Sequence, residues 1–413
     1  MKPIRIIHFS DFHMAADTRG PLDSETGLNG RILDYLDALD ALIDYAYDYD
    51  ADLAMFAGDA YHRPSPTPTY MREFSQRIIR LSNQCPVVLI PGNHDIPGSL
   101  DKASSIDIFN TLKTYNVVVG HDYELHEVIT KNGMVQVATV PYPVKQLFLT
   151  PDQLTGRSID KQIIMLQEAV TSRIHELAEQ ASEDAPAILL GHFTVSNSVY
   201  GSERSMVMGL DVDIHLDDLT DWDYVALGHI HYHQDVSKGM DAFPPIVYSG
   251  SLERVDFSEE FQDKGFVWLE LNEDISWEFV QIDARPWVTL DIDVTEAERP
   301  TRDVLKVIKK TNVRDSIVRV NVTLDRDMER RVNTTRITKA LEDAGAYIIQ
   351  GVNMLYDIGD NLRGRLDVPV ESLSKTELLD VYFQDIGLKK KECKDLLELA
   401  KEIMTEVDSE QRL

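Results

Sequence analysis

Five times in this chain a short apolar run gives way at once to a polar motif, and this repeated seam constrains the fold more than any other feature. In order the motifs are Asp11-Phe12-His13, Gly58-Asp59-Ala60-Tyr61-His62, Gly92-Asn93-His94-Asp95, Gly191-His192 and Gly228-His229-Ile230-His231. The runs that lead into them are Ile4–Phe9, Leu53–Ala57, Val87–Ile90, Ala187–Leu190 and Tyr224–Leu227. All are short and, Arg5 and His8 of the first aside, apolar, as buried strands are. Every polar motif therefore lies in a loop at the C-terminal end of a strand, where side chains converge on a ligand while the sheet holds them rigidly. The motifs supply two carboxylates, an amide and four imidazoles, with two further histidines beside them. That is the donor set for two divalent cations sharing a bridging carboxylate, an arrangement suited to in-line attack of water on a phosphate ester.

Helical periodicity fills the gaps between these strands. Ile32, Leu36, Leu39, Ile43 and Ala46 recur at helical spacing, Met71–Leu81 reads as a helix, and Ile163, Val170, Ile174 and Leu177 mark a long one over 160–181. Val135–Val140 is a further strand. The expected fold is a layered α/β sandwich over residues 1–283. A small α/β unit is expected over 284–360: Val288, Leu290, Ile292 and Val294 alternate, Asp303–Lys310 and Thr334–Asp343 read as helices, and Ile317–Leu324 and Tyr347–Leu355 as strands. It contains no histidine and no catalytic cluster of its own. A linker at 361–373 lies in polar sequence and precedes a tail, 374–413, of two helices. Ser374-Lys375-Thr376-Glu377 is a capping box for the first. Leu378, Leu379, Tyr382, Phe383 and Ile386 form its apolar stripe; Cys393, Leu396, Leu397, Ala400, Met404 and Val407 form the second. Two readings stay open, a helical pair folded back on its own domain and a helix-turn-helix that docks on a partner's helices.

Composition narrows the class. At 413 residues, with 43% hydrophobic and 27% charged residues, the chain is expected to hold two or three globular domains. Cys85 and Cys393 match no metal or redox spacing, and Met1–Ile7 has no signal-peptide core, so a cytoplasmic location is expected. No apolar stretch approaches the ~18–20 residues of a membrane span. The formal charge of −29 opposes nucleic acid at long range. Residues 301–340, however, hold eleven Lys or Arg against five Asp or Glu. That segment is either an ordinary solvated face or a positive surface for a polyanion.

In residues and order the motifs resemble the calcineurin-like metallophosphoesterases, and within them the SbcD-type nucleases of DNA double-strand-break repair. Gly228-His229-Ile230-His231-Tyr232-His233-Gln234 is similar to this nuclease branch, as is Tyr248-Ser249-Gly250-Ser251-Leu252-Glu253-Arg254 followed by Asp256-Phe257. One departure is Ala15 in Met14-Ala15-Ala16, where the family usually has Gly; this puts the loop path in question and leaves the ligands untouched.

The resemblance implies that Asp11, His13 and His231 hold one ion, that Asn93, His192 and His229 hold the other, and that Asp59 bridges them. Mixed nitrogen and oxygen donors suit Mn²⁺ best, with Fe²⁺ or Zn²⁺ as alternatives. His94 would protonate the leaving 3′-oxygen or stabilise the pentacovalent phosphorus, and Asp95 would orient its ring. His62 would contact the phosphate or support the site, a structural role being the alternative. His8 reads as a satisfied core histidine, His233 stays unassigned, and His121, His126, His175 and His215 read as surface residues. The resemblance further implies a Mn²⁺-dependent DNA exonuclease and single-strand endonuclease, a homodimer through Met71–Leu81 and the segment around Ser104–Thr114, and an SbcC-type coiled-coil ATPase as partner. The alternatives are a small-molecule phosphodiesterase or phosphatase with the same site, and a scaffold whose metal site is vestigial.

Overall fold

The computed structural model describes residues 2–97, 102–201 and 211–356, together with 379, 383, 392–394 and 396–401. The chain divides into two compact units: Met1–Leu290, Thr311–Arg319 and Lys339–Gly351 form one, and Asp291–Lys310, Val320–Thr338 and Val352–Leu413 the other.

The first unit is a layered α/β sandwich. One six-stranded sheet takes β1 (Ile4–Phe9), β2 (Leu53–Phe56), β3 (Val87–Leu89) and β4 (Val117–Val119) in parallel. The antiparallel hairpin of β13 (Lys264–Leu271) and β14 (Ile275–Ile282) extends it on the β1 side. The second sheet is centred on β6 (Met134–Val140), β7 (Ala187–His192), β10 (Tyr224–Gly228) and β12 (Ile246–Tyr248), again parallel. The antiparallel edges β5 (Glu124–Ile129) and β11 (Gln234–Asp235) close it, and β8 (Thr194–Val195) and β9 (Asp213–Ile214) form a separate parallel pair.

The alternation of side chains along a strand explains the layering. Ile4, Ile6 and His8 of β1 turn toward Tyr224 and Ala226 of β10, in the apolar layer between the sheets. Ile7 and Phe9 turn to the other side, onto α1 (Gly30–Asp48) and α2 (Pro68–Ser82). The side chain of Asn29 accepts from the Ile32 amide and starts α1, whose stripe Ile32, Leu36, Leu39, Ile43 and Ala46 is buried as the periodicity requires. Each such Leu or Ile contributes roughly 1.5–3 kcal/mol of transfer free energy. A long helix, Ile159–Gln180, covers the outer face of the second sheet through Leu166, Val170, Ile174 and Leu177.

Beyond Ile282, β15 (Trp287–Asp293), β16 (Ile317–Leu324) and β17 (Ile348–Tyr356) make a three-stranded sheet. Each of these strands begins in the first unit and ends in the second. Helices Pro300–Ile308 and Thr334–Asp343 connect them in sequence. The expected linker, the capping box at 374–377 and most of both tail helices lie outside the described residues. Of the second tail helix, 392–394 and 396–401 are helical. Among the described residues no helix is long and apolar enough to cross a membrane.

Candidate metal centre

Each motif follows its strand into a tight, largely buried loop. Asp11, His13, Asp59 and His229 all adopt left-handed backbone, with φ of 50°, 44°, 62° and 90°, a costly choice for residues other than glycine and one that clusters at functional sites. The motif glycines let the loops nest. A Cβ on Gly92 would lie 2.1 Å from Asp59 Oδ1, and one on Gly228 would lie 2.1 Å from the Ala57 carbonyl oxygen.

All seven expected ligands meet at this edge. Asp59 is central: its Oδ2 is 3.4 Å from both His13 Nε2 and His192 Nε2, while its Oδ1 accepts the His94 amide at 2.8 Å. His13 Nε2 faces His231 Nε2 at 2.8 Å and Asp11 Oδ1 at 3.9 Å. Asn93 Oδ1 faces His192 Nε2 at 3.0 Å and His229 Nδ1 at 3.1 Å. Asp11 accepts the His229 amide at 3.0 Å and the Ser10 hydroxyl. The donor atoms of Asp11, His13 and His231, and those of Asp11, Asp59 and His192, each lie within 4.8 Å of one another.

Three rings have their outward nitrogens committed to acceptors. His192 Nδ1–H donates to the Ala57 carbonyl at 2.6 Å, His229 Nε2–H to Asp211 Oδ2 at 2.6 Å, and His231 Nδ1–H to Glu259 Oε1 at 2.7 Å. A carbonyl or carboxylate only accepts, so these contacts place the ring protons on the outside and turn the remaining lone pairs inward. Lone pairs of neutral rings then face amide and carboxylate oxygens and another imidazole in a buried space. Cations relieve that repulsion, and the residues fit a pair of them. A proton is the alternative: burial would lower His192, but the Asp59 carboxylate outweighs it and raises the ring to about 9. Burial pushes Asp11 up, whereas at Asp59 the His192 and His13 rings overcome burial and hold the carboxyl well below its usual range.

His94 and His62 complete the cluster. Their rings stack with centroids 5.3 Å apart, and the His94 ring lies 4.7 Å from that of His13. His94 Nδ1–H donates to the His62 carbonyl at 2.9 Å. Asp95 does not orient the His94 ring, contrary to expectation. Its buried carboxylate accepts the amides of Gly92, Asp59 and Ala60 at 2.8–3.1 Å and the Ser105 hydroxyl at 2.8 Å, clamping two motif loops together. Burial and the nearby Asp59 push Asp95 up to about 6, against the pull of those donors.

The other histidines are structural. His8 bridges the sheets through the Tyr224 hydroxyl and the Leu227 carbonyl, both at 3.1 Å. His233 stacks on Phe279. His121, His126 and His175 are partly exposed, the His175 side chain at 45%, and His215 is exposed.

Asp211 and Glu259, the carboxylates behind His229 and His231, escaped the sequence reading. Glu259 closely follows the Asp256-Phe257 segment, and Asp211 belongs to none of the five motifs. A cavity of about 230 Å³ opens beside Asn93 and Asp211, with Tyr142, Val144 and Lys145 among its walls.

Among solved structures the chain is similar to a dimetal phosphatase from Danio rerio (11% identity, 68% of this chain and 96% of that one, TM-score 0.42). It is also similar to the sulfate thiohydrolase SoxB from Thermus thermophilus (12% identity, 67% and 56%, TM-score 0.32). Residues 4–233, which hold all seven converging ligands, match the calcineurin-like phosphoesterase family, and the chain belongs to that family.

Proposed function

We propose that this phosphoesterase is a Mn²⁺-dependent DNA nuclease of the SbcD type, cleaving phosphodiesters as an exonuclease and single-strand endonuclease. The observation that carries the hydrolytic reading is the convergence of Asp11, His13, Asp59, Asn93, His192, His229 and His231 with His94 beside them. Asp11, His13 and His231 would hold one ion, Asn93, His192 and His229 the other, and Asp59 both. Bound there, the ions would supply Lewis acidity and neutralise charge on the phosphate. The protein's own contribution is placement and proton transfer. Because His94 Nδ1 is committed to the His62 carbonyl, Nε2 is the ring atom left to exchange a proton with the leaving 3′-oxygen. The Asp95 clamp fixes the backbone on which Asp59 and Asn93 sit.

Two features support DNA over a small ester. The nuclease-like segments at 228–234 and 248–257 are present, and ten of the eleven basic side chains between 301 and 340 are exposed, Arg319 being the exception. Some are offset by local pairs such as Lys306–Asp303 and Lys339–Asp343. The same reading includes a homodimer through Met71–Leu81 and the segment around Ser104–Thr114, and an SbcC-type ATPase held by the tail.

Mn²⁺-supplemented assays on plasmid, linear duplex and single-stranded DNA, run beside a small chromogenic phosphodiester, test this proposal. Cleavage of DNA at rates well above those for the small ester is expected. Turnover of the small ester alone would transfer the assignment to a small-molecule phosphodiesterase.

A further inference from the structure

The segment Tyr248–Arg254 and the turn after it supply no ligand to the metal centre, yet they wrap directly behind one. Gly250, at φ +75°, lets the chain pass against the backbone of 231–233; a Cβ there would lie 2.9 Å from the His231 carbonyl oxygen. Ser251 then donates its amide to that same oxygen at 3.2 Å. Asp256 caps a short turn, Phe257–Glu259, by accepting the Ser258 amide. The turn delivers Glu259, fully buried, to His231 Nδ1 at 2.7 Å. Behind Glu259 stands Lys264, also fully buried, whose ammonium contacts Glu259 Oε2 at 2.8 Å, Ser251 Oγ at 2.7 Å and the His231 carbonyl at 3.3 Å. Glu259 Oε2 additionally accepts the Val255 amide at 3.0 Å.

We infer that Glu259, seated by Lys264 and Ser251, is a positioning residue that fixes the His231 ring with its proton on Nδ1 and its Nε2 lone pair directed at the metal centre. The facing ring, His13, has no hydrogen-bond partner at Nδ1 among the described residues. Of this pair, held at 2.8 Å between their Nε2 atoms, only His231 is anchored from outside. A carboxylate that accepts the outward N–H of an imidazole fixes the ring's tautomer and orientation and makes it a better ligand; removing such a partner typically costs about 10–100-fold in metal affinity. The lysine has its own purpose. A buried carboxylate without a counter-charge is costly, and so is the reverse, so the two are retained or lost together.

The inference rests on the dimetal reading of the site, and the test separates the two. In the metal-free full chain, nitrogen-15 NMR of histidine should report His231 as the Nδ1–H tautomer. Glu259→Leu alone leaves Lys264 buried and unpaired and is expected to unfold readily. The double variant Glu259→Leu/Lys264→Met replaces both groups with apolar ones of similar shape and should fold. It should lose the fixed tautomer, and calorimetric titration with Mn²⁺ should then show one of two sites weakened about 10–100-fold with the other unchanged. Glu259→Gln, whose amide oxygen still accepts from Nδ1–H, should keep the tautomer. A folded double variant with the wild-type His231 spectrum and two wild-type Mn²⁺ affinities would overturn the role given to Glu259. If the wild-type chain failed to take up two ions, the dimetal reading would fall, while the metal-free spectra would still decide whether Glu259 sets the tautomer.

Discussion

The two sides of the metal centre use the same device with different surroundings. His231 and His229 each donate outward to a carboxylate, Glu259 at 2.7 Å and Asp211 at 2.6 Å. Glu259 has a side chain that is 0% exposed and a buried ammonium against it. Asp211 is 10% exposed, receives a neutral hydroxyl from Tyr142 at 2.7 Å, and lies on the wall of the cavity beside Asn93. Burial alone would raise both carboxyls. The Lys264 ammonium and the His231 ring outweigh it at Glu259, and the His229 and Tyr142 bonds outweigh it at Asp211, so both are held below the usual range. The sealed carboxylate is thus met by a full counter-charge, whereas the partly exposed Asp211 is met by the His229 ring and a neutral hydroxyl. The carboxylate behind His231 is consequently built into the core, and the one behind His229 lines the cavity beside Asn93.

Asp59 belongs to both sides, so its loss should give the largest effect. Asp59→Ala is expected to abolish phosphodiester hydrolysis and impair uptake of both ions while leaving the melting temperature within a few degrees, because a loop ligand contributes little core burial. Near-normal Mn²⁺-dependent turnover in this variant would refute a shared bridging carboxylate. His94 lies beside both sides without being assigned to either ion. His94→Gln should leave both ions bound and slow turnover by about 10²–10⁴-fold, the usual contribution of a positioned proton donor. Loss of an ion would make it a ligand instead. Asp211→Asn discriminates between the sides. It should weaken only the ion assigned to His229, His192 and Asn93, by roughly tenfold, and without the loss of folding expected of Glu259→Leu. Equal weakening of both ions in a Mn²⁺ titration would erase the distinction.

The sandwich and the strand ends where its polar motifs stand were legible because each signal is local. A buried strand is a short apolar run, and the polar residue that follows it stands where the sheet ends. The strand β5, Glu-Leu-His-Glu-Val-Ile, was not legible, since an edge strand with both faces half-exposed shows no apolar run. Neither was β13, which a buried Lys264 opens. Asp95 illustrates the limit at the site itself. Adjacency to His94 suggested a ring partner, but the turn sends its carboxylate inward to the backbone amides of Asp59 and Ala60, contacts separated by more than thirty residues. Asp211 and Glu259 act on histidines 18 and 28 residues away, a relation that only the folded chain reveals.

A smaller effect tests the floor common to both sides. His8 lies beneath them, on the strand that leads to Asp11, and is bonded to the Leu227 carbonyl on the strand that leads to His229. Burial lowers its pKa to about 3 from an ordinary value of 6.5. Between those values the unfolded chain binds a proton that the folded chain does not. Stability therefore rises with pH through this window and is lost as pH falls from about 6.5 toward 3, by on the order of a few kcal/mol. Denaturant titrations across that range should show the slope, and His8→Phe should flatten it. An unchanged slope would mean that His8 takes up its proton without unfolding.

The smallest effect concerns Ala15, on the loop that follows His13 on the His231 side. The residue has φ +73°, in the left-handed region where a Cβ meets the backbone and where glycine is at ease. The glycine that the resemblance leads one to expect at this position would adopt such backbone without that penalty, whereas this chain carries a methyl group there. The loop is held by the Ala16 amide on the His13 carbonyl at 2.9 Å and by the Met14 amide on the Ala60 carbonyl at 3.1 Å, so the strain has nowhere to relax. Ala15→Gly should relieve about 1 kcal/mol of left-handed penalty. Part of that is returned through the greater freedom of glycine in the unfolded chain. A rise in denaturation free energy of up to about 1 kcal/mol, with both Mn²⁺ affinities unchanged, is the expected outcome. A clear fall in stability would show that the methyl group packs usefully there. A change in affinity confined to the His231 side would show instead that the loop's strain is transmitted to His13, making the two sides differ in backbone tension as well as in their carboxylates.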